Sequence, residues 1–594
     1  MRFVLAIVCF ALATISMGLG IAERTILAGP DQASLSSTSK DGAPVVVIDG
    51  TALNAYEHTQ TVRLAGSTKT FAAYGRTSDV LAWVGNTDYT HVTYDAKTHK
   101  LVSKLHRGVA TSVPNPKGSD LWLAQYTGSS ARSFHLKVPA SVSVIAVSNG
   151  ASPAPSTVTL TWPINNEVPW SGPVIVAGAI LLLVGLALLL WAITHLRRMR
   201  GPRRTQARMP KLPRQPRYKP SRKAITARKE REAGKERGAI EERATSKGRK
   251  VITRFTAITP VLGVLLLAGC TATPSAVVSP SVTPTTTIAT KAQTTAVTPA
   301  QLQQIMQRVS STVAAADNTS NATLLASRMA GPALSDRLAN YKIRKAAPKE
   351  PASIIIPAST IRVALPQASD TWPRAVFAVV QNAATPTLAP VALMLVQNDP
   401  RANYKVQYAM SLQPGIKLPE LPGASVGSSR LLPDIGLLKV QPGQLALDYG
   451  SILTEDSASP SFSLFDATGD TFRTQVGAAE KLKQQKALPS TAKLTFGEAQ
   501  GPGQTIALAT FNNGAIVAVD LNESETVRPV KTGADVSTTG AVKALSGKAT
   551  STKGIVATYG DQLLFYVPAA ATKSGKIELL GYTTSLINAA EYKK

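Results

Sequence analysis

No histidine follows His195 in this 594-residue chain, which leaves the long region after it without an imidazole for general-base work or zinc ligation. Cysteine is scarcer: Cys9 and Cys270 are the two present, each inside an apolar, signal-like stretch. No disulfide can brace the polar regions, so they must stand on hydrophobic cores. No GxxxxGK[ST] loop or GxGxxG turn follows a strand pattern, and no DxD pair is present to hold a metal-bound nucleotide sugar. No motif therefore marks a catalytic, cofactor-binding or metal-ligating residue, and no cofactor is expected.

Acidic residues are also in deficit, 36 against 64 Lys and Arg, for a formal charge of +28. The excess is local. Between Arg197 and Arg254 there are 22 Lys and Arg against 5 Glu, while the remainder is only mildly basic. This segment has one aromatic residue, Tyr218, and so offers no stacking platform; nucleic acid is not expected as a partner. Its first part is spaced by Pro202, Pro210, Pro213, Pro216 and Pro220 and reads as extended and solvated. Anionic lipid of the inner leaflet is the expected partner, at about 1 kcal/mol for each basic residue near the surface.

Three apolar runs organise the chain. Phe3 to Ile21 is long enough to cross a bilayer, and residues 1–22 are expected to form a transmembrane helix or signal anchor. Gly20-Ile21-Ala22 also presents small residues of the kind a signal peptidase reads. Val174 to Leu196 carries no formal charge and is followed directly by Arg197, Arg198, Arg200, Arg203 and Arg204, so residues 173–196 are expected to span with those arginines inside. That places 23–172 outside and 197–254 in the cytoplasm of a cell-membrane protein. The third run, Phe255 to Gly269, has a basic lead and ends in Leu267-Ala268-Gly269-Cys270. It resembles a bacterial lipobox, which implies lipidation of Cys270 and peptidase recognition of Leu267, Ala268 and Gly269 within a signal at 255–270. The charge pattern delivers Cys270 to the outer face, so 271–594 is expected outside as well. Residues 271–298, rich in Ser, Thr and Pro, read as a tether.

Residues 23–172 show short strand patterns at Val45 to Ile48, Thr61 to Leu64, Phe71 to Tyr74, Val80 to Val84, His91 to Tyr94, Leu121 to Tyr126, Phe134 to Val138, Ser143 to Val147 and Val158 to Trp162. They predict an antiparallel all-β sandwich-like domain. The distal region starts on a capping box, Thr298-Pro299-Ala300-Gln301, with Leu302, Ile305, Met306, Val309 and Val313 on one helix face. More helix fits Ala322 to Tyr341, parted at Gly331-Pro332, and strand patterns follow at Ser353 to Ile356, Thr360 to Ala364, Ala375 to Val380, Val391 to Gln397 and Lys405 to Ser411. The order recurs after residue 442, predicting α+β domains at 299–413 and 442–594 joined by a linker at 414–441. This order resembles the NTF2-like fold, helices on a curved sheet. The fold class is thus multidomain: a β-sandwich, transmembrane helices and two NTF2-like-looking α+β domains.

Paired carboxylates are the one chemistry that spacing does not test, and Asp448, Asp466, Asp470, Asp520 and Asp561 are the candidates, each weighed against a cap or turn role. Trp83, Trp122 and Trp162 read as core aromatics, with a sugar platform as the rival reading. The layout of two spans, basic loop, internal lipobox and distal domain pair resembles a family of actinobacterial membrane proteins of unknown function. Some members carry glycosyltransferase labels, and the resemblance supplies no catalytic residue. The expected function is that of a non-catalytic envelope protein or lipoprotein that binds or scaffolds a cell-wall glycan or another envelope protein. The alternative is an enzyme or accessory subunit of surface-glycan assembly. Immunoblots of a chain tagged at both ends are expected to show two bands, and Cys270→Ala to convert them to one full-length band.

Overall fold

The computed structural model describes residues 1–27, 30–164, 170–199, 295–382 and 384–593. The expected basic loop from residue 200, the signal at 255–270 with Leu267, Ala268, Gly269 and Cys270, and the tether up to residue 294 lie outside the described residues. The chain divides into two compact units, Met1–Ala22 with Pro169–Ala289 and Glu23–Val168 with Thr290–Lys594.

The first unit is built on α1 (Arg2–Thr25), which meets the helix that follows the β domain. Between these two in sequence come the β domain's own elements: β1 (Gln32–Thr38), β2 (Val45–Ile48), α2 (Gly50–Leu53), β3 (Gln60–Ala65), β4 (Thr70–Arg76), α3 (Thr77–Val84), β5 (Tyr89–Asp95), β6 (Lys100–His106), β7 (Ala124–Gly128), β8 (Ala131–Leu136), β9 (Val142–Val147) and β10 (Thr157–Pro163). Then comes α4 (Ser171–Met199). Both α1 and α4 are long and apolar enough to cross a membrane. They touch through small residues: Ala6, Ala13 and Ala192 are buried while most of the large aliphatic side chains face outward. A Cβ on Gly178 would lie 2.8 Å from the Met17 side chain, so glycine is what lets the backbones approach. Cys9 packs against Gly185 at the same seam and is unpaired.

In the second unit the β domain is a sandwich. A four-stranded sheet ordered β1-β10-β3-β8 faces a six-stranded sheet ordered β6-β5-β2-β9-β4-β7. Val62, Leu64, Phe134, Leu160 and Trp162 of one sheet meet Val46, Ile48, Val144 and Ala146 of the other. The central strands β2 and β9 are buried on both faces, because a second core of Val45, Val47, Ile145, Trp83 and Trp122 covers their other side. Three local expectations need correction. Val80 to Val84 belongs to α3, not to a strand; Asp79, Val80, Trp83 and Val84 form its buried face at helical spacing, and an apolar run of five is too short for period alone to decide. The strand expected from Leu121 starts only at Ala124, since Leu121 and Trp122 are loop residues sunk into the second core. The pairing is also not wholly antiparallel, because β2 and β5 run parallel, with α3 on the chain between them.

The distal elements are α5 (Pro299–Thr319), α6 (Ala322–Ala326), α7 (Gly331–Ala346), β11 (Thr360–Ala364), β12 (Arg374–Val380), β13 (Val391–Gln397), β14 (Lys405–Leu412), β15 (Arg430–Leu431), α8 (Leu445–Glu455), α9 (Thr471–Val476), α10 (Ala478–Ala487), β16 (Ala492–Gln500), β17 (Ile506–Ala509), β18 (Ala515–Pro529), β19 (Val536–Ser537), α11 (Gly540–Ser546), β20 (Thr550–Ser551), β21 (Ile555–Val567) and β22 (Glu578–Glu591). The capping box forms as read: Thr298 Oγ1 accepts from Gln301 N at 3.2 Å and Gln301 Oε1 accepts from Thr298 N at 2.9 Å. The run from Ser353 to Ile356 is not a strand; it lies between Pro351 and Pro357, and the Ile354 carbonyl is taken by the Arg337 guanidinium.

The strands expected in two successive α+β domains share one ten-stranded sheet, ordered β11-β12-β13-β14-β22-β21-β18-β17-β15 with β16 also paired to β18. The halves join where Ser411 and Leu412 pair with Tyr582 and Gly581. Helices α5 to α7 pack on Val376, Leu393 and Val406 in the first half, and α8 packs on Val517, Val519 and Phe565 in the second. The opposite faces of both halves meet in a shared core of Phe377, Met394, Tyr408, Ile516 and Leu564.

The sandwich is joined to this sheet by buried charge. Asp79 pairs with Arg374 at 2.8 Å, each side chain 1% exposed. Asp120 accepts from Arg308 at 3.0 Å, from Arg328, and from the Tyr404 backbone N–H at 2.9 Å. Arg401 donates to the Trp83 and Val84 carbonyls, both at 2.9 Å, and caps the C-terminal end of α3. Replacing Asp120 by alanine would leave two guanidinium groups facing each other without an anion. Denaturant unfolding of the detergent-solubilised chain is expected to show a loss of about 3–5 kcal/mol for Asp120→Ala, the usual cost of breaking a buried pair from one side.

Candidate binding cleft

The second half of the sheet extends well past the expected strand ends. β18 runs on from Asp520 through Leu521, Asn522, Glu523, Ser524 and Glu525, and β16, β21 and β22 run beside it. Residues directly opposite in an antiparallel pair point to the same face. Glu498 lies opposite Glu523, Glu523 opposite Tyr559, Phe496 opposite Glu525, and Asp561 opposite Thr584. One face of four adjacent strands thus carries carboxylates and hydroxyls where the apolar core under α8 runs out.

Helix α10 supplies the counter-charge. Lys481 is its buried residue, whereas Leu482 is half exposed. The Lys481 ammonium donates to Glu498 at 2.8 Å, to Glu523, and to the Leu453 carbonyl at 3.3 Å, which uses all three of its hydrogens. Thr454 Oγ1 donates to the other oxygen of Glu498 at 2.7 Å. A cleft of about 240 Å³ opens beside this knot, lined by Phe496, Glu523, Glu525, Tyr559, Thr584 and Leu586 among others.

Burial raises the pKa of every carboxyl at this end of the sheet whose shift is resolved. Asp561, with no exposed surface, is raised well above the usual carboxylate range by burial first and the neighbouring Glu523 charge second. Glu523 is raised by burial against the opposing pull of Lys481, and Glu525 by burial and then Glu523. The Tyr559 hydroxyl is pushed up to about 12, by burial and then by Glu525. The cluster therefore combines a fixed ammonium with carboxyls whose pKa values burial raises and with neighbouring hydroxyls, a set that can both donate and accept hydrogen bonds.

Of the five aspartates singled out in the sequence, only Asp561 is at this cluster. Asp466 accepts from the Thr468 N–H in a turn at 2.9 Å, Asp470 caps α9 by accepting from Arg473 N at 2.9 Å, and Asp448 accepts from Ser461 Oγ at 3.0 Å. Asp520 is buried and accepts from Gly503 N at 2.9 Å. Trp83, Trp122 and Trp162 are all core residues, at most 3% exposed, so they form no sugar platform. Among the described residues no three His, Cys, Asp or Glu side chains are grouped to hold a metal ion. Sequence reasoning missed Lys481, Glu498, Glu523, Glu525 and Tyr559. Glu523 and Glu525, two residues apart, carried a usable signal: on a strand they share a face.

A carboxyl whose pKa is higher in the folded than in the unfolded chain stabilises the fold below the ordinary aspartate range, near pH 4, and that contribution fades as pH rises through the raised value. In thermal melts Asp561→Asn is therefore expected to melt higher than wild type at neutral pH, with the difference shrinking as pH falls toward about 4.

Comparison with known proteins places part of this architecture. No curated protein and no solved structure matches the chain. A family model described as a domain of unknown function, DUF8094, matches residues 293–591, from the start of the distal region almost to the end of β22. That match spans half of the chain, takes in the whole ten-stranded sheet and the cleft, and leaves the sandwich outside, so the chain belongs to the DUF8094 family.

Proposed function

We propose that this is a non-catalytic cell-envelope protein, anchored by α1 and α4, whose cleft binds a hydroxyl-rich component of the envelope such as a wall glycan. The observation that carries the reading is the cleft's chemistry. Phe496 offers an apolar face to a sugar ring, Glu525, Tyr559 and Thr584 offer hydrogen bonds, and the Lys481 ammonium is fully engaged and so is no free nucleophile. We read each helix-on-sheet half as NTF2-like, a shape that supplies a pocket without requiring chemistry.

Charge supports one sidedness: Arg197 and Arg198 at the end of α4 favour reading that end as the inner one and the sandwich as outside. The sandwich before α4 and the region from Thr295 belong to one unit, so a chain that crosses through α4 has to recross before Thr295. Phe255 to Gly269 is the apolar run available for this, which supports reading it as an export signal that ends at a lipidated Cys270. The basic stretch between would then rest against anionic lipid of the inner leaflet.

A second reading, an enzyme or accessory subunit of surface-glycan assembly, is favoured by one observation. Asp561 and Glu523 are adjacent carboxyls with raised pKa values, and a carboxyl that keeps its proton can act as a general acid. Titrating the purified full-length protein with soluble wall oligosaccharides distinguishes the two. Binding is expected without turnover, weakened about tenfold by Glu525→Ala or Phe496→Ala, the equivalent of one good contact. Product formation abolished by Asp561→Asn would replace this reading with the enzymatic one.

A further inference from the structure

The surface between the sandwich and the distal region has the composition of a recognition interface between separate proteins. Its buried anions, Asp79 and Asp120, come from the sandwich, and the cations that face them, Arg308, Arg328 and Arg374, come from the distal region, while Arg76 of the sandwich meets the exposed Asp370 of the distal region at 3.5 Å. Because the buried charges of the two sides differ in sign, the surface selects one partner and disfavours a second copy of itself. Apolar anchors sit beside the charges: Trp83 and Trp122 pack at 5.7 Å on the sandwich side, and Trp372 packs against the same core from the distal side. Backbone groups are paired across it as well. Asp120 N donates to Asn403 Oδ1 at 3.0 Å, and Gln301 Nε2 donates to the Leu121 carbonyl at 3.0 Å. Buried arginine and tryptophan at the centre of a patch are the features that concentrate binding energy in protein pairs. The boundary of the family match adds an independent indication, since the domain it defines begins at residue 293 and includes only the distal side of this interface.

We infer that the sandwich and the DUF8094 domain are a non-covalent receptor and ligand pair, and that the intervening chain is not needed to hold them together. Scission of that connection yields a two-chain complex, with the DUF8094 domain docked on the membrane-anchored sandwich by Asp79 and Asp120. The inference does not depend on what the cleft binds, on sidedness, or on whether Gly269/Cys270 is processed.

The test uses the full chain in isolated membranes, with a site for a sequence-specific protease inserted between Cys270 and Thr290. The fragment released by cutting would carry neither Cys270 nor any of the three apolar runs. It is expected to stay in the membrane pellet, including in about 1 M salt, where exposed charges are screened and buried pairs much less so. In the Asp79→Ala, Asp120→Ala double variant it is expected in the supernatant. Release from the unmutated chain would overturn the inference and needs no variant to fold. Retention in both would overturn the assignment to these pairs. Extraction of cut, unmutated membranes into mild detergent gives a second reading: co-elution of the two fragments supports the pair, and separate elution overturns it.

Discussion

The Asp120 carboxylate has no exposed surface, and the donors around it, the Arg308 and Arg328 guanidinium groups and the Tyr404 N–H, all come from residues at least 188 positions further along the chain. A buried anion is tolerated only where its partners are already fixed, so α5, the segment after α6 and the start of β14 have to be in place before this contact can form. Asp79 and Arg374 repeat the arrangement some distance away on α3 and β12. Two such pairs fix an orientation as well as an attachment, because neither can shift without leaving a charge uncompensated in the interior. The sandwich and the sheet are therefore registered to each other by electrostatics, with the tryptophan core beside them supplying the apolar burial.

The same logic at smaller scale shapes the cleft. The strands of the second half are longer than their apolar patterns, and past Leu521 the face under the helices turns from aliphatic to acidic. A helix that followed its own amphipathic pattern would put Leu482 over this end. Instead α10 turns Lys481 inward, because an ammonium is what two facing glutamates require. The result is a sheet whose apolar part secures the fold and whose polar continuation is left partly open. Burial then raises the carboxyl pKa values there, giving a surface of mixed donors and acceptors.

Helices α1 and α4, each long and apolar enough to cross a membrane, follow a different rule and meet through small residues. Alanine and glycine at Ala6, Ala13, Gly178 and Gly185 bring α1 and α4 together, and the large aliphatic side chains face outward. The family match covers the sheet and the cleft and leaves out α1, α4 and the sandwich. The chain thus combines a domain that defines the family with a second, β-rich body that supplies its docking surface.

Local physics made much of this readable in one dimension. A run of about 20 apolar residues with no charge reads as a helix able to cross a membrane, so α1 and α4 were evident; a capping box fixes a helix start through atoms three residues apart, so α5 was evident; period-two runs gave most strands. The exceptions were short. Val80 to Val84 fits helix and strand alike, and only its burial against the six-stranded sheet decides for α3. What tertiary structure alone decided was every contact between charges distant in sequence: Asp120 with Arg328, Asp79 with Arg374, Lys481 with Glu498 and Glu523, and the fusion of two expected domains through the pairing of β14 with β22. The reason is that a charge has no periodicity to betray its partner. Whether it is solvated or buried depends on what the fold brings opposite it, and that is settled only when distant segments meet.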